Sequence, residues 1–140
     1  MASHFHVDIV SAEREIFSGE AEMVFAPAEM GELGITPRHA PLLTRMKPGT
    51  VRVQAGGEEQ VFFVSGGILE IQPHMVTVLS DTALRAKDID EAAAQDAKRK
   101  AEEALANQSG DIDVARAQAE LLEAVARLRA LEQVRKKAGR

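Results

Sequence analysis

The residues with the greatest chemical potential lie in a stretch rich in glycine and proline, residues 31–44. This stretch presents Glu32, Arg38 and His39 among apolar neighbours. Glycine permits backbone angles that other residues avoid, whereas proline fixes φ and removes a donor, so we expect a stiff, shaped loop between strands. Loops on rigid scaffolds often carry binding residues, and a carboxylate with an imidazole is also a pair used in general acid–base catalysis.

An enzyme would need more than the Glu32 and His39 pair. Ser65, beside Gly66 and Gly67, lacks the Gly-x-Ser-x-Gly elbow of a hydrolase nucleophile. The sequence contains neither Gly-x-x-x-x-Gly-Lys nor Gly-x-Gly-x-x-Gly, the loops that cradle phosphates. A free-standing enzyme would therefore require a convergent pocket with perturbed titration around Glu32 and His39. Binding to other molecules is the better hypothesis.

His4 and His6 would lie on one face of a strand and could form half of a metal site. No acidic or histidine cluster in the neighbouring sequence completes such a site. We therefore expect both histidines to face solvent, opposite the apolar Phe5, Val7 and Ile9, and we predict no metal centre.

Length and composition exclude several classes of protein. At 140 residues, one or two small domains are expected. The absence of cysteine excludes disulfides and thiolate zinc sites, and it is compatible with a reducing compartment. A formal net charge of -5 and 4% aromatic residues argue against nucleic acid as a partner. No apolar run approaches the ~20 residues of a membrane span, and the N-terminus lacks the pattern of a secretory signal.

The composition changes abruptly near Lys87, which divides the chain into residues 1–87 and 88–140. All five prolines, all five phenylalanines and eight of the ten glycines precede Lys87. The later part is dominated by strong helix formers such as Ala, Glu, Lys and Leu. Two domains of different class are predicted, giving an α+β protein.

The first domain is predicted to consist of short strands. Alternating or short apolar segments occur at residues 4–10, 21–26, 50–55, 68–71 and 75–80. Residues 51–64 read as a hairpin with Gly56-Gly57 at or near its turn. Short strands at such regular spacing are typical of an all-β sandwich or barrel.

The second domain is predicted to be an antiparallel pair of helices joined at residues 107–110. Asp88 is a plausible N-cap with Glu91 three residues later, and Asp111 or Asp113 can cap the second helix. In the second helix, apolar residues follow a heptad pattern: Val114, Ala117, Leu121, Ala124, Leu128 and Leu131. In the first helix, one apolar edge recurs every four residues: Ile89, Ala93, Ala97, Ala101 and Leu105.

The helical pair is predicted to be thinly attached to the first domain. Alanine buries little area, and burial stabilises by roughly 25 cal/mol per Å². We therefore infer that this hairpin can detach. Opened into one line, about 50 residues at 1.5 Å each would reach roughly 75 Å.

Two segments of the chain carry a resemblance to a known family. They are Gly31-Glu-Leu-Gly-Ile-Thr-Pro-Arg-His-Ala-Pro-Leu-Leu-Thr44 and Ser65-Gly-Gly-Ile-Leu-Glu-Ile-Gln-Pro73. In these segments, and in order and spacing over nearly the whole chain, the sequence resembles the epsilon subunits of the bacterial F-type proton-translocating ATP synthase. That resemblance implies an antiparallel β-sandwich that anchors the chain in the rotor, followed by a regulatory two-helix hairpin.

The resemblance also implies a function. The chain is expected to be a non-catalytic subunit of the central stalk in a complex that makes ATP from ADP with a transmembrane proton gradient. Its sandwich would couple the γ subunit to the c-subunit ring, and its hairpin would extend to inhibit ATP hydrolysis by the α and β catalytic subunits. The implied location is peripheral, on the cytoplasmic face of the bacterial inner membrane, with no direct membrane insertion.

Site residues follow from the same resemblance. Glu32, Arg38 and His39 are assigned to the interface with the c ring and γ. Basic residues of the second helix are assigned to an inhibitory contact with an acidic segment of the catalytic subunits: Arg116, Arg127, Arg129, Arg135, Lys136 and Lys137. A solvated helix face is the alternative, since cations near a helix C-terminus also suit its dipole.

Some members of the family bind ATP through a motif of the form Ile/Leu-Asp-x-x-Arg-Ala, which matches residues 89–94 here. Ala93 occupies the arginine position, so it offers no charge to a phosphate. Asp90 remains, and Arg127 or Arg129 could contribute from the second helix. We predict weak or absent ATP binding and no cofactor. A soluble nucleotide-sensing module with no rotor role is the alternative function.

Overall fold

The computed structural model describes residues 3–107 and 110–138, apart from the side chains at 111, 112, 137 and 138. Ten strands, one 3-10 turn and two helices are present in this part of the chain. The strands are β1 Phe5–Ser11, β2 Glu15–Ala21, β3 Met23–Ala28, β4 Gly31–Ile35, β5 Leu42–Met46, β6 Gly49–Ala55, β7 Glu58–Val64, β8 Gly67–Gln72, β9 Met75–Ser80 and β10 Ala83–Arg85. The 3-10 turn spans Ala86–Asp88, and the helices are α1 Glu91–Ala106 and α2 Asp111–Ala138.

The strands form a sandwich folded from one continuous sheet. Their order is β10-β7-β6-β3-β5-β8-β9-β1-β2, with β4 paired to β3. The sheet turns at β3 and β5, which share the pair Ala28 and Met46. The first layer therefore contains β10, β7, β6, β3 and β4, and the second contains β5, β8, β9, β1 and β2. Pairing is antiparallel except between β1 and β9, which run parallel. The predicted sandwich is confirmed.

Alternation along each strand fills the space between the layers. In β1, Phe5, Val7 and Ile9 are buried, as predicted, and His6 is half-buried, while His4, which precedes the strand, is exposed. The largest fully buried side chains include Phe62 and Ile35. Because the two layers meet face to face, these inward residues make one continuous core.

The predicted hairpin at residues 51–64 is present as β6 and β7. Gly56 and Gly57 form its turn with φ of 60° and 79°, a conformation that favours glycine. The predicted loop at residues 31–44 is shorter than expected, because β4 and β5 occupy both of its ends. Leu33 packs against the core and Ile35 is fully buried, so burial outweighs the local glycine signal. The true loop is residues 36–41.

Ser65 and its neighbouring glycines have a structural role. Ser65 Oγ lies 3.1 Å from Ser80 Oγ and accepts a hydrogen bond from the Thr82 amide at 3.0 Å. A Cβ on Gly67 would lie 2.0 Å from the carbonyl oxygen of Leu79, so only glycine fits there. This arrangement joins the β7–β8 connection to the β9–β10 turn.

The N-cap of helix α1 lies two residues later than predicted. Asp90, not Asp88, is the N-cap, and its carboxylate accepts a hydrogen bond from the Ala93 amide at 3.1 Å. Asp88 instead belongs to the 3-10 turn, which continues the chain away from β10. Helix α2 begins at Asp111, so Asp113 lies inside its first turn, and the side chain of Asp111 lies outside the described part.

The helices pack side by side, and α2 also packs against β6, β7 and the 3-10 turn. The heptad pattern of α2 is confirmed, with Ala117, Ala124 and Leu131 buried. The edge predicted for α1 is confirmed in part, because Ile89 and Ala101 are buried, but Ala93 and Ala97 are exposed and Ala94 is buried in their place. A spacing of four residues drifts around a helix by about 40° per step, so it cannot hold one face.

The contact between α2 and the sandwich is small and distinct from the main core. Its buried members are Val61, Phe63, Ala86, Ile89, Ala126, Ala130 and Leu131. Three of these are alanines, which contribute little apolar area. The structure shows the docked arrangement alone, and detachment of the hairpin stays a prediction.

Candidate interaction surfaces

Glu32 lies on β4, opposite Pro27 of β3, and is exposed. Its carboxylate accepts a hydrogen bond from Arg52 Nη2 at 3.3 Å. Arg52 also donates to Glu59 at 3.2 Å, and its guanidinium lies 4.1 Å from the centre of the Phe25 ring. Glu32 is therefore the outer member of an ordered ion-pair chain on the surface of the first layer.

Arg38 and His39 lie in the loop after β4. Arg38 has φ of 65°, and its amide donates to the Pro73 carbonyl at 2.9 Å, which ties this loop to the β8–β9 turn. His39 Nδ1 lies 2.7 Å from the Ala40 carbonyl, so Nδ1 carries a proton and donates. Arg38 itself is exposed.

The structure brings Arg38 and His39 together but gives Glu32 different partners. Within residues 3–107 and 110–138, no hydrogen bond or ion pair joins Glu32 to either of them. Glu32 and His39 thus do not form the acid–base pair that a free-standing enzyme would use.

An exposed apolar strip, which sequence reasoning missed, lies on the outer face of the second layer. Leu43, Ile68 and Leu79 are 68%, 45% and 45% exposed. Ile68 pairs with both Arg45 and Leu79 across β5, β8 and β9, and Leu43 pairs with Glu70. The sequence does hold a signal for this strip. Ile68 and Leu79 occupy the outward phase of strands whose inward residues, such as Leu69 and Val78, are already apolar.

A polar cluster flanks this strip on β1 and β2. His6 Nε2 lies 2.8 Å from Asp8 Oδ1 and 3.1 Å from Ser18 Oγ, and the Ser18 hydroxyl donates to Asp8 at 2.7 Å. The Ser18 hydrogen bond, aided by His6, holds the pKa of Asp8 below its usual value despite partial burial. The described residues contain no group of three potential metal-ligating side chains. This cluster is a hydrogen-bonded surface feature of the sheet.

Three of the predicted basic residues of α2 have acidic partners. Arg116 lies 3.8 Å from Glu120, and Arg127 lies 3.1 Å from Glu123, both on α2. Arg135 pairs with Glu91, the first residue of α1. This hydrogen bond lowers the pKa of Glu91.

The remaining basic residues predicted on α2 do not take part in these ion pairs. Arg129 and Lys136 have no ion pair with any described residue, and the side chain of Lys137 lies outside the described part. Arg127 is unusual because its guanidinium also lies 4.9 Å from the centre of the Phe63 ring on β7. It is thus the cation of α2 that contacts the sandwich through an aromatic ring.

The predicted nucleotide residues lie in three different environments. Asp90 caps α1, and Arg127 borders a groove between the helices of about 390 Å³. Arg129 instead borders a groove of about 270 Å³ between α2 and the sandwich, which Glu32 also lines. The charged residues of the interhelical groove are Asp96, Lys100, Glu120, Glu123 and Arg127. With more carboxylates than cations, that groove suits a phosphate poorly.

None of the described helices is long and apolar enough to cross a membrane.

Comparison with known proteins covers both parts of the chain. Residues 4–86 match the family profile of the ATP synthase delta/epsilon chain beta-sandwich domain, and residues 87–132 match that of its long alpha-helix domain. The ATP synthase epsilon chain of Nitrosococcus oceani is 66% identical over 99% of this chain and 100% of its own length. That of Alkalilimnicola ehrlichii is 64% identical over 99% of both chains.

Two solved structures share the fold at low sequence identity. A chain in the cryo-EM structure of Euglena gracilis mitochondrial ATP synthase, OSCP/F1/c-ring, superimposes with a TM-score of 0.68 and 18% identity, covering 96% of this chain and 81% of that one. A chain in the cryo-EM structure of the central stalk/c-ring of Tetrahymena thermophila mitochondrial ATP synthase superimposes with a TM-score of 0.66 and 14% identity. The match covers 92% of this chain and 97% of that one.

Proposed function

Because the chain belongs to the ATP synthase delta/epsilon chain family, we propose that it works as a rotor subunit whose sandwich anchors it and whose hairpin acts as a brake. It is a non-catalytic subunit of the ATP synthase. The observation that carries this assignment is the 66% identity to an epsilon chain across both domains.

The sandwich offers two surfaces for rotor partners. The apolar strip of Leu43, Ile68 and Leu79 is the surface proposed for the γ subunit, since an exposed apolar patch marks a protein contact. The loop with Arg38 and His39, together with Glu32, is proposed to face the c-subunit ring and the adjoining part of γ. The backbone hydrogen bond from Arg38 to Pro73 ties this loop to the β8–β9 turn, which suits a part that must transmit torque.

The hairpin is proposed to alternate between the docked arrangement and one extended toward the α and β catalytic subunits. Its small, alanine-containing contact with the sandwich supports this, because a bistable element needs only a few kcal/mol between its states. In the extended form, the basic residues of α2 would meet an acidic segment and block ATP hydrolysis. The chain would then lie at the cytoplasmic face of the bacterial inner membrane, as a peripheral part of the complex.

The test is ATP hydrolysis by a purified catalytic head with γ, reconstituted with the full chain or with a version ending at Lys87. We expect the shortened chain to stay bound and hydrolysis to rise. Co-sedimentation checks binding, which is needed because removal of α2 uncovers Val61 and Phe63. Unchanged hydrolysis with a bound sandwich would refute the brake, and failure of both forms to bind would refute the rotor role.

A further inference from the structure

The cations of α2 fall into two groups according to where their partners lie. Arg116 and Glu120 are both on α2, so their ion pair persists wherever the helix goes. Arg135 is paired with Glu91 on α1. Arg127 keeps its pair with Glu123 on α2 and also lies over Phe63 of the sandwich. The Arg135–Glu91 pair and the Arg127–Phe63 contact exist only while the hairpin is closed and docked.

The positions of these cations around α2 determine which sides of the helix carry unpaired positive charge. Arg129 and Lys136 are about two turns apart and share one side of α2. Arg127 points to the opposite side, and Arg135 lies roughly between the two. Arg129 and Lys136 have no ion pair within the described part of the chain, so the docked helix presents a single free cationic stripe.

We propose that docking masks the charge of Arg135 on Glu91 and holds Arg127 against Phe63, so that opening the hairpin frees Arg135 and uncovers the guanidinium of Arg127 for a partner. The partner that fits the open helix is an acidic segment that contacts α2 from more than one side. This inference rests on the proposed brake and adds its regulation. Glu91 and Phe63 act as internal competitors of the acidic partner.

The first test compares Glu91→Gln with Glu103→Gln. Glu103 pairs with Arg99 on its own helix at 2.9 Å, so its loss removes the same charge without freeing a cation of α2. The chain has no cysteine, so a cysteine pair can be introduced at the exposed Thr36 and Ala119 and spin-labelled in the full-length protein. Double electron–electron resonance then measures the distance between the two labels, and so between the sandwich and α2.

We expect Glu91→Gln to raise the population at long distance by roughly 1.4- to five-fold, which is the range for loss of one exposed ion pair. Glu103→Gln should match the parent chain. A second comparison uses Phe63→Leu against Phe62→Leu. Both rings are fully buried in β7 and both lie under an arginine, but Phe62 faces Arg85 of the sandwich. Only Phe63→Leu should lengthen the distance.

The masking is overturned if both Glu91→Gln and Phe63→Leu give the same distances as their controls. Hydrolysis by the reconstituted head separates this inference from the proposed function. Longer distances with lower hydrolysis support both. Longer distances with unchanged hydrolysis support the masking and refute the brake, and unchanged distances refute the masking whatever the hydrolysis rate.

Discussion

Ile68 lies directly opposite Leu79 in the β8–β9 pair, with each side chain 45% exposed. Cross-strand neighbours of this kind are in contact, so the two residues form one apolar unit on the outer face of the sheet. An interface usually takes most of its energy from a few such side chains.

We expect Leu79→Gln to weaken binding to the isolated γ subunit about ten-fold, the effect of losing ~1.4 kcal/mol at an interface. Leu122→Gln is the matched control, because Leu122 is 51% exposed but lies on α2. Calorimetric titration with γ measures both. Equal affinities for the two variants, with unchanged thermal melts, would show that γ binds elsewhere.

The surroundings of Gly67 predict that an added side chain there destabilises the protein strongly. Its φ is 116°, and an added Cβ would lie 2.0 Å from the Leu79 carbonyl oxygen. Because both atoms belong to paired strands, the sheet must distort, and Gly67→Ala should lower the free energy of unfolding by about 2–4 kcal/mol. Gly57→Ala should cost only about 1 kcal/mol, since Gly57 also has positive φ but nothing lies within 4 Å. Urea denaturation measures the difference, and equal losses would contradict the clash.

Sequence patterns predicted the elements whose signal is local. The turn at Gly56-Gly57 and the alternation of Phe5, Val7 and Ile9 both depend on neighbouring residues, and both are confirmed. β4 was missed because Gly31 and Gly34 conceal a strand whose reason to form is the burial of Ile35 against distant residues.

The candidate site was predictable to a smaller extent. The basic character of α2 is visible in the sequence, but the ring that Arg127 meets is 64 positions earlier in the chain and depends on the fold. The same holds for Arg135 and Glu91, which are brought together by the antiparallel helices. The apolar strip was missed because a sequence does not show which apolar residues of a strand face outward until the buried residues of that strand are known.

The N-cap of α1 predicts that substitutions of two nearby aspartates affect the stability of the helix differently. Asp90 accepts the hydrogen bond from the Ala93 amide, whereas Asp88 lies in the preceding 3-10 turn. Asp90→Ala should therefore destabilise α1 by about 1 kcal/mol, and Asp88→Ala should change it by less than about 0.5 kcal/mol. Hydrogen exchange in the first turns of α1 reports the change. Equal protection in both variants would contradict the assigned cap.

The Glu91–Arg135 pair predicts that acid opens the hairpin. The hydrogen bond from Arg135 lowers the pKa of Glu91 from its ordinary 4.5 in the closed form. A carboxyl group with a lowered pKa stabilises the closed form above its ordinary pKa, and that stabilisation is lost as the pH falls through the lowered value. The long-distance population of the chain labelled at Thr36 and Ala119 should therefore rise below about pH 4.5.

Two variants separate Glu91 from the other acidic groups of α1. Glu91→Gln should remove most of this dependence on pH. Asp96→Asn should leave it in place, because Asp96 pairs with Arg99 and Lys100 on its own helix, although its pKa is lowered too. If Glu91→Gln opens with the same pH profile as the parent chain, another carboxylate controls the docked state, and Arg135 is not held by Glu91 in solution.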